Sequence, residues 1–417
     1  DFHVDATWNF NGDANFSDFT VIGGHSVLAG MDFDSDSLFE VLFVIDETLA
    51  PGGPDPGKLG VYLYESDGSG GYTHVWHWVT PDPGNSLPGM NYGDIDGDGN
   101  HEIYFGVPPS VGNNTNSWGT YIFEQGADGA FPATPTMLWQ HANGATGLTE
   151  ADNFRPSSYQ VADVDGDGKN ELITTDRGMV HLAIDALVGD DLDDLATMSN
   201  EYFVGGDASE LDGGGIYDVD VVDFDGDGLH EVWVNTWDNF SMAIYEATGA
   251  DAYRLANDLN EMFIDNDPGS FNRVGFAFHD IDGDGAMEAW FPMTNGKLYY
   301  LETVADSTDS AHFAIGGVDS IKASHFHEIL TFGPNSSRGG DVGDIDGNGK
   351  PDIIVGTGTA ETVVRIEYQG SDPTDPFSYM VSTILESQGG DPDRWYSLDI
   401  SDNDLDGDGN LEVVVPN

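Results

Sequence analysis

Apolar and polar residues alternate in short runs throughout the chain, and a period of two predicts strands rather than helices. The clearest runs are Leu59-Gly-Val-Tyr-Leu-Tyr64, Thr120-Tyr-Ile-Phe-Glu124, Met179-Val-His-Leu-Ala-Ile184, Met242-Ala-Ile-Tyr245, Lys297-Leu-Tyr-Tyr-Leu301 and Val363-Val-Arg-Ile-Glu-Tyr368. A second, more polar set follows each of them: Thr73–Val79, Thr136–His141, Glu201–Val204, Glu261–Ile264, Phe326–Thr331 and Met380–Leu385. Glu102-Ile-Tyr-Phe-Gly106 and Ser158-Tyr-Gln-Val-Ala162 show the strands that flank them, so a repeat reads as four short strands. Acidic Asp190–Met198 lacks both alternation and turn residues and predicts a short helical insertion. The Pro-Asp clusters at Pro51–Pro56, Pro81–Pro83 and Asp372–Pro376 predict loops.

Between the first and second strand of each repeat stands one polar loop. In Asp94-Ile-Asp-Gly-Asp-Gly-Asn-His-Glu102, acids at positions 1, 3 and 5, a turning Gly at 6 and an acid at 9 converge on one point. That donor set suits a hard cation that prefers oxygen, and Ca2+ fits best. A helix-loop-helix calcium site closes with Glu at position 12 on a helix, whereas here the closing acid begins a strand. The loop recurs at 32–40 (Asp32, Asp34, Asp36, Glu40), 94–102 (Asp94, Asp96, Asp98, Glu102), 163–171 (Asp163, Asp165, Asp167, Glu171) and 223–231 (Asp223, Asp225, Asp227, Glu231). It continues at 280–288 (Asp280, Asp282, Asp284, Glu288), 344–352 (Asp344, Asp346, Asn348, Asp352) and 404–412 (Asp404, Asp406, Asp408, Glu412). Successive starts are 62, 69, 60, 57, 64 and 60 residues apart, enough for one four-stranded sheet per interval.

Seven copies in one frame predict an all-β fold, a seven-bladed β-propeller of four-stranded antiparallel blades filling residues 1–417 as a single domain, with up to seven Ca2+ ions. After the last loop only Leu411–Asn417 remain, so the seventh blade lacks outer strands at its C-terminal end. Trp8 precedes its loop by 24 residues, as Trp139 precedes its own. Val4–Phe10 is therefore expected to supply an outer strand to that blade and close the ring. The first and sixth loops depart from the pattern, with Ser37 at the turning position and Asn348 for an Asp, and are expected to hold their ions least well.

Composition narrows the setting. The chain has 75 acids against 12 bases, a formal charge of −63, and seven divalent ions would cancel only 14 of those charges. Such a surface repels nucleic acid and anionic membrane, while 39% hydrophobic and 12% aromatic residues argue against a disordered acidic chain. There is no Cys, and no apolar run reaches the length that spans a bilayer. The start at Asp1 reads as a processed form whose signal peptide is gone. Calcium is plentiful outside cells, so an extracellular, secreted or surface location is expected.

The repeated Gly-Asp-Ile-Asp-Gly-Asp-Gly-x-x-Glu with its following strand, as in Gly93–Phe105, and its variant in Gly343–Val355 resemble the FG-GAP or VCBS repeats, which form seven-bladed propellers in integrin α-chains and many secreted bacterial proteins. The resemblance implies that the four side chains of each loop are ligands and that residue 7 offers its carbonyl. It also implies a family of adhesion modules, lectins and non-catalytic parts of enzymes.

Four of the seven Arg, namely Arg155, Arg273, Arg338 and Arg394, stand 6 to 10 residues before a loop, close to Phe154, Trp395 and Tyr396. Guanidinium forks match carboxylate or sulfate and aromatic faces stack on sugars, so these seven residues form a candidate ligand pocket, with inter-blade bracing as the alternative. The function expected is a calcium-stabilised binding or adhesion module for a glycan or an extracellular protein. Two alternatives stand beside it: a polysaccharide lyase or its lectin domain, with Tyr396 and Arg394 the pair nominated for proton abstraction, and a subunit of an extracellular filament or surface layer. His325 and His327 share a strand face, and a polar outer strand accounts for them better than a metal site does.

Overall fold

A computed structural model describes residues 13–20, 22–48, 53–54, 56–85, 87–109, 117–141, 154–177, 181–192, 197–205, 215–236, 242–258, 277–293, 295–304, 313–314, 318–322, 325–332, 337–357, 362–370, 372–386 and 397–416. The chain divides into two compact units. The first comprises Asp1–Ala162, Lys169–Gly206 and Asp399–Asn417, and the second Asp163–Gly168 and Asp207–Leu398.

The first unit holds three four-stranded sheets, each an antiparallel meander in sequence order. They are β1 (Gly24–Met31), β2 (Glu40–Asp46), β3 (Leu59–Ser66) and β4 (Tyr72–Val79), then β5 (Met90–Gly93), β6 (Glu102–Val107), β7 (Gly119–Glu124) and β8 (Met137–Trp139). The third is β9 (Pro156–Ala162), β10 (Glu171–Asp176), β11 (His181–Val188) and β12 (Thr197–Val204). In the second unit the fourth sheet is β13 (Ile216–Val222), β14 (Glu231–Thr236), β15 (Met242–Gly249) and β16 (Ala252–Asp258). The fifth contains β17 (Ala277–His279), β18 (Glu288–Pro292), β19 (Lys297–Val304), the short parallel strand β20 (Phe313–Ala314) and β21 (His327–Thr331). The sixth is β22 (Ser337–Gly343), β23 (Asp352–Thr357), β24 (Val363–Tyr368) and β25 (Tyr379–Leu385). The pair β26 (Asp399–Ile400) and β27 (Val413–Val414) belongs to the first unit.

The second strand of each sheet is buried along its length where described, as in Glu40–Asp46, Glu102–Val107 and Glu171–Asp176, and so reads as a continuous apolar run rather than an alternation. The cores lie between neighbouring sheets. In the first unit Leu42, Val44, Val61 and Leu63 pack with Ile103, Phe105 and Phe123, and in the second Trp290, Leu298 and Tyr300 pack with Ile353, Val355 and Ile366.

The fold is thus an all-β propeller of four-stranded antiparallel blades, but with six such blades and not seven. Seven loops require only seven hairpins of first and second strand, and among the described residues the seventh loop is followed by β27 alone. What stands there is the two-stranded pair of β26 and β27. The expected N-terminal closing strand, Val4–Phe10, lies outside the described residues.

The C-terminal pair is fixed to the first blade. Ala29 N donates to Asp399 Oδ2 at 2.7 Å, Asp402 N to Ala29 O at 3.0 Å and Asn403 Nδ2 to Gly30 O at 2.8 Å. Gly30 permits this approach, since its φ is +95° and a Cβ there would sit 2.3 Å from Asp402 N.

The expected helix at Asp190–Met198 is not found: residues up to Leu192 are bend and coil, and Thr197 and Met198 already begin β12. The expected outer strand Glu261–Ile264 lies outside the described residues, and the fourth strand of that blade is β16, reached through a tight turn at Ala250 and Asp251.

Candidate metal centres

Each loop is shaped by its own carboxylates. In the second, Gly97 N and Asp98 N donate to Asp94 Oδ1 at 2.7 and 3.2 Å, Gly99 N to Asp94 Oδ2 at 3.0 Å, and Asn100 N to Asp98 Oδ1 at 2.7 Å. The fifth loop repeats the pattern around Asp280 and Asp284, and the seventh around Asp404 and Asp408. In the fourth, Gly228 N and Leu229 N donate to Asp223 Oδ2 and Asp227 Oδ1 at 3.1 and 2.9 Å. The glycines at positions 4 and 6 hold φ between +64° and +94°, the left-handed region that other residues enter at a cost. In the first loop Ser35 and Ser37 occupy that region, at +62° and +71°.

These turns gather the acids. Oxygens of Asp280, Asp282, Asp284 and Glu288 lie within 4.8 Å of one another, as do those of Asp404, Asp406, Asp408 and Glu412. In the first loop Asp32, Asp34 and Asp36 form one such group, and Asp34, Glu40 and Glu65 another. Of the third loop, Asp163, Asp165 and Asp167 belong to the second unit and Glu171 to the first.

The closing Glu is the most informative side chain. One oxygen accepts from the backbone amide of position 2: Ile95 N to Glu102 at 2.8 Å, Phe224 N to Glu231 at 2.7 Å and Ile281 N to Glu288 at 2.6 Å. The other oxygen, Oε1 in all three, is buried and accepts no hydrogen bond. An unsatisfied carboxylate oxygen is costly, and the same unpartnered oxygen in the second, fourth and fifth loops fits a cation beside it. Burial, reinforced by the neighbouring Asp carboxylates, pushes Glu40, Glu102 and Glu231 up to about 8, Glu288 to about 9 and Glu412 to about 7. A divalent ion reverses that balance by favouring the ionised form.

A fifth acid was missed from the sequence. Across the sheet the closing acid faces another carboxylate in five blades: Glu40 opposite Glu65, Glu102 opposite Glu124, Glu231 opposite Glu246, Glu288 opposite Glu302 and Asp352 opposite Glu367. Like charges directly opposite are unfavourable unless something positive lies between or beside them. The one signal in the sequence is that each of these Glu ends the apolar run of a third strand, and it points to a carboxylate pair only once the register is known.

The position-3 Asp also reaches out of its loop. Asp96 Oδ2 accepts from Leu192 N at 2.9 Å, Asp165 Oδ2 from Asp251 N at 2.5 Å and Asp225 Oδ2 from Val318 N at 3.1 Å. In each case the donor lies in the next blade along the chain, so the acidic loop also serves as a clasp. Asn170 Nδ2 and His230 Nδ1 add contacts to the carbonyls of Asp94 and Asp163 at 2.5 and 3.1 Å.

The candidate ligand pocket is mostly beyond view. Arg273, Arg394, Trp395 and Tyr396 lie outside the described residues, and Arg338 falls in β22 with its side chain undescribed. Phe154 is fully buried, its ring 4.6 Å from that of His141 and 5.6 Å from that of His181, which makes it a core residue. Arg155 is half-buried, and its backbone amide donates to Asp176 Oδ1 at 2.6 Å. His325 is fastened locally, accepting from Lys322 N at Nδ1 over 3.1 Å.

No family model matches the chain, and no curated protein is similar to it in sequence. Among solved structures, the periplasmic gluconolactonase of Pseudomonas aeruginosa is similar at a TM-score of 0.51 and 14% identity, covering 94% of this chain and 88% of that one. A protein from Lactobacillus plantarum gives 0.48 and 13%, covering 87% and 96%. The V. cholerae biofilm matrix protein gives 0.42 and 10%, covering 94% and 84%. At this identity the first likeness concerns the fold alone, and the resemblance to FG-GAP and VCBS repeats rests on the loops themselves. No helix among the described residues is long and apolar enough to cross a membrane.

Proposed function

We propose that this chain is an extracellular propeller of FG-GAP or VCBS type, stabilised by calcium and serving as a binding or adhesion module. The observation that carries the reading is the buried, unpartnered oxygen of Glu102, Glu231 and Glu288, each at the closing position of an acidic loop. A site of several carboxylates on a flexible loop suits calcium, which takes six to eight oxygens, better than magnesium, which demands a tight octahedron and keeps its water. Loops of this kind fill where calcium is millimolar, which is why the reading places the protein outside the cell.

The loops are occupied with holding blades together, and binding is assigned to other surfaces. Apolar residues are exposed along β25: Phe377 just before it is 91% exposed, and Met380 and Val381 are 50% and 42% exposed. In so acidic a chain, an apolar group beside an outermost strand favours contact with another macromolecule. The same edge favours the second reading, a subunit of a filament or surface layer.

Glycan arrays and a panel of immobilised extracellular proteins, probed in calcium and again after chelation, test the reading. Binding that disappears with calcium is expected. Turnover of an acidic polysaccharide would replace the reading with the lyase alternative, and assemblies in negative-stain images would replace it with the filament.

A further inference from the structure

The sixth loop differs from the others in what faces its closing acid. Asp352 is one methylene shorter than the Glu elsewhere, and the side chain of Arg365, from β24, fills the space in front of it. Arg365 Nε donates to Asp352 Oδ1 at 2.5 Å, and a terminal nitrogen donates to Asp352 Oδ2 at 3.0 Å and to Asp346 Oδ2 at 2.7 Å. Glu367 Oε1 lies 3.8 Å from the same nitrogen. The guanidinium is therefore bound by the position-3 acid, the closing acid and the cross-strand acid at once, and the residue is only 5% exposed.

The register makes the comparison sharp. Arg365 pairs with Ile354, two residues past the closing acid, and the matching third-strand residues of the other blades are Leu63, Ile122, Ile184, Ile244 and Tyr300. None of those is a cation. The closing oxygen left without a partner at Glu102, Glu231 and Glu288 is at Asp352 taken by Arg365. Asn348, the second departure in this loop, turns its amide to Glu367 Oε1 at 3.0 Å.

We propose that Arg365 is the built-in cation of the sixth loop, so that this loop takes no metal while its neighbours do. The proposal rests on the reading that the intact loops bind a divalent ion. Both departures of the sixth loop then have one cause: a site with a fixed charge of +1 needs fewer carboxylates than one for a charge of +2. A divalent ion brought within about 4 Å of a buried guanidinium would be repelled, and the fork occupies both oxygens of Asp352, the closing acid.

The test counts calcium bound per chain by elemental analysis after equilibrium dialysis. Glu288→Gln is expected to lower the count by one, Asp352→Asn to leave it unchanged, and Arg365→Leu to raise it by one. If Arg365→Leu does not fold, melting decides: Asp352→Asn should lower Tm equally with calcium and with chelator, and Glu288→Gln only with calcium. Loss of one ion in Asp352→Asn, or loss of its effect on Tm in chelator, overturns the proposal. A wild-type count of zero would instead overturn the reading of all the loops, and this proposal with it.

Discussion

Glu102, Glu231 and Glu288 show at single-residue scale why the loops could hold a cation: half of each carboxylate is satisfied by a backbone amide and half by no hydrogen bond in the protein. The loop pattern was legible because the Asp residues at 1, 3 and 5 also fix the turn through their own amide contacts. The cross-strand acids were not read, since a Glu at the end of a strand is ordinary until its partner across the sheet is known. Nor was the role of Arg365, which looks like any strand residue until its register is set. The first loop's strain is also a matter of single residues. Ser35 and Ser37 stand in the left-handed region where the other loops place Gly, and open space surrounds Gly97 and Gly99, so conformation rather than crowding selects glycine there. Ser37→Gly is expected to stabilise the protein by about 1 kcal/mol, read from urea unfolding in calcium. A destabilising outcome would mean that the serine side chain is needed as it stands.

At the scale of elements, the expected third strands match β3, β7, β15, β19 and β24 in place, because continuous burial makes their apolar runs unmistakable. The outer strands were harder, since a half-exposed strand such as Ala252–Asp258 carries little alternation. Its turn, with Asp251 at a φ of +55°, lacks the Asn-Gly or Asp-Gly pair that signals a hairpin. Acidic Asp190 and Asp191 suggested a helix, whereas the buried Leu192 instead gives its amide to Asp96 of the preceding blade. The meeting of β1 with the C-terminal pair depends on Gly30 in the same way. Gly30→Ala would drive a methyl group into the backbone of Asp402 and is expected to destabilise by more than about 2 kcal/mol, with the C-terminal segment becoming sensitive to protease. Unchanged resistance would show that this contact contributes little.

For the whole molecule, the propeller class was legible from the loop count and spacing, while the blade number was not, because a loop marks the start of a blade and says nothing of its completion. The acid loops also set the response to pH. Without metal, the closing Glu residues titrate at about 7 to 9 in the folded chain, above the unfolded carboxyl, so the folded form binds more protons. Their contribution is then fully present below the unfolded value and is lost as pH rises through that range. With a cation bound the ionised form is held, and protons compete with the ion. The gap in Tm between calcium-loaded and calcium-free protein is therefore expected to widen from about pH 5 to about pH 8, and a gap that narrows would contradict the assignment of these groups.

Thermal melting at neutral pH, followed as free calcium is raised from chelated to millimolar levels, bears most directly on whether cations hold the blades together. Each filled loop adds stability as the logarithm of free calcium over its dissociation constant, so Tm should climb steadily across the titration. Melting curves that superimpose at every calcium level would show that the acidic loops fold without an ion.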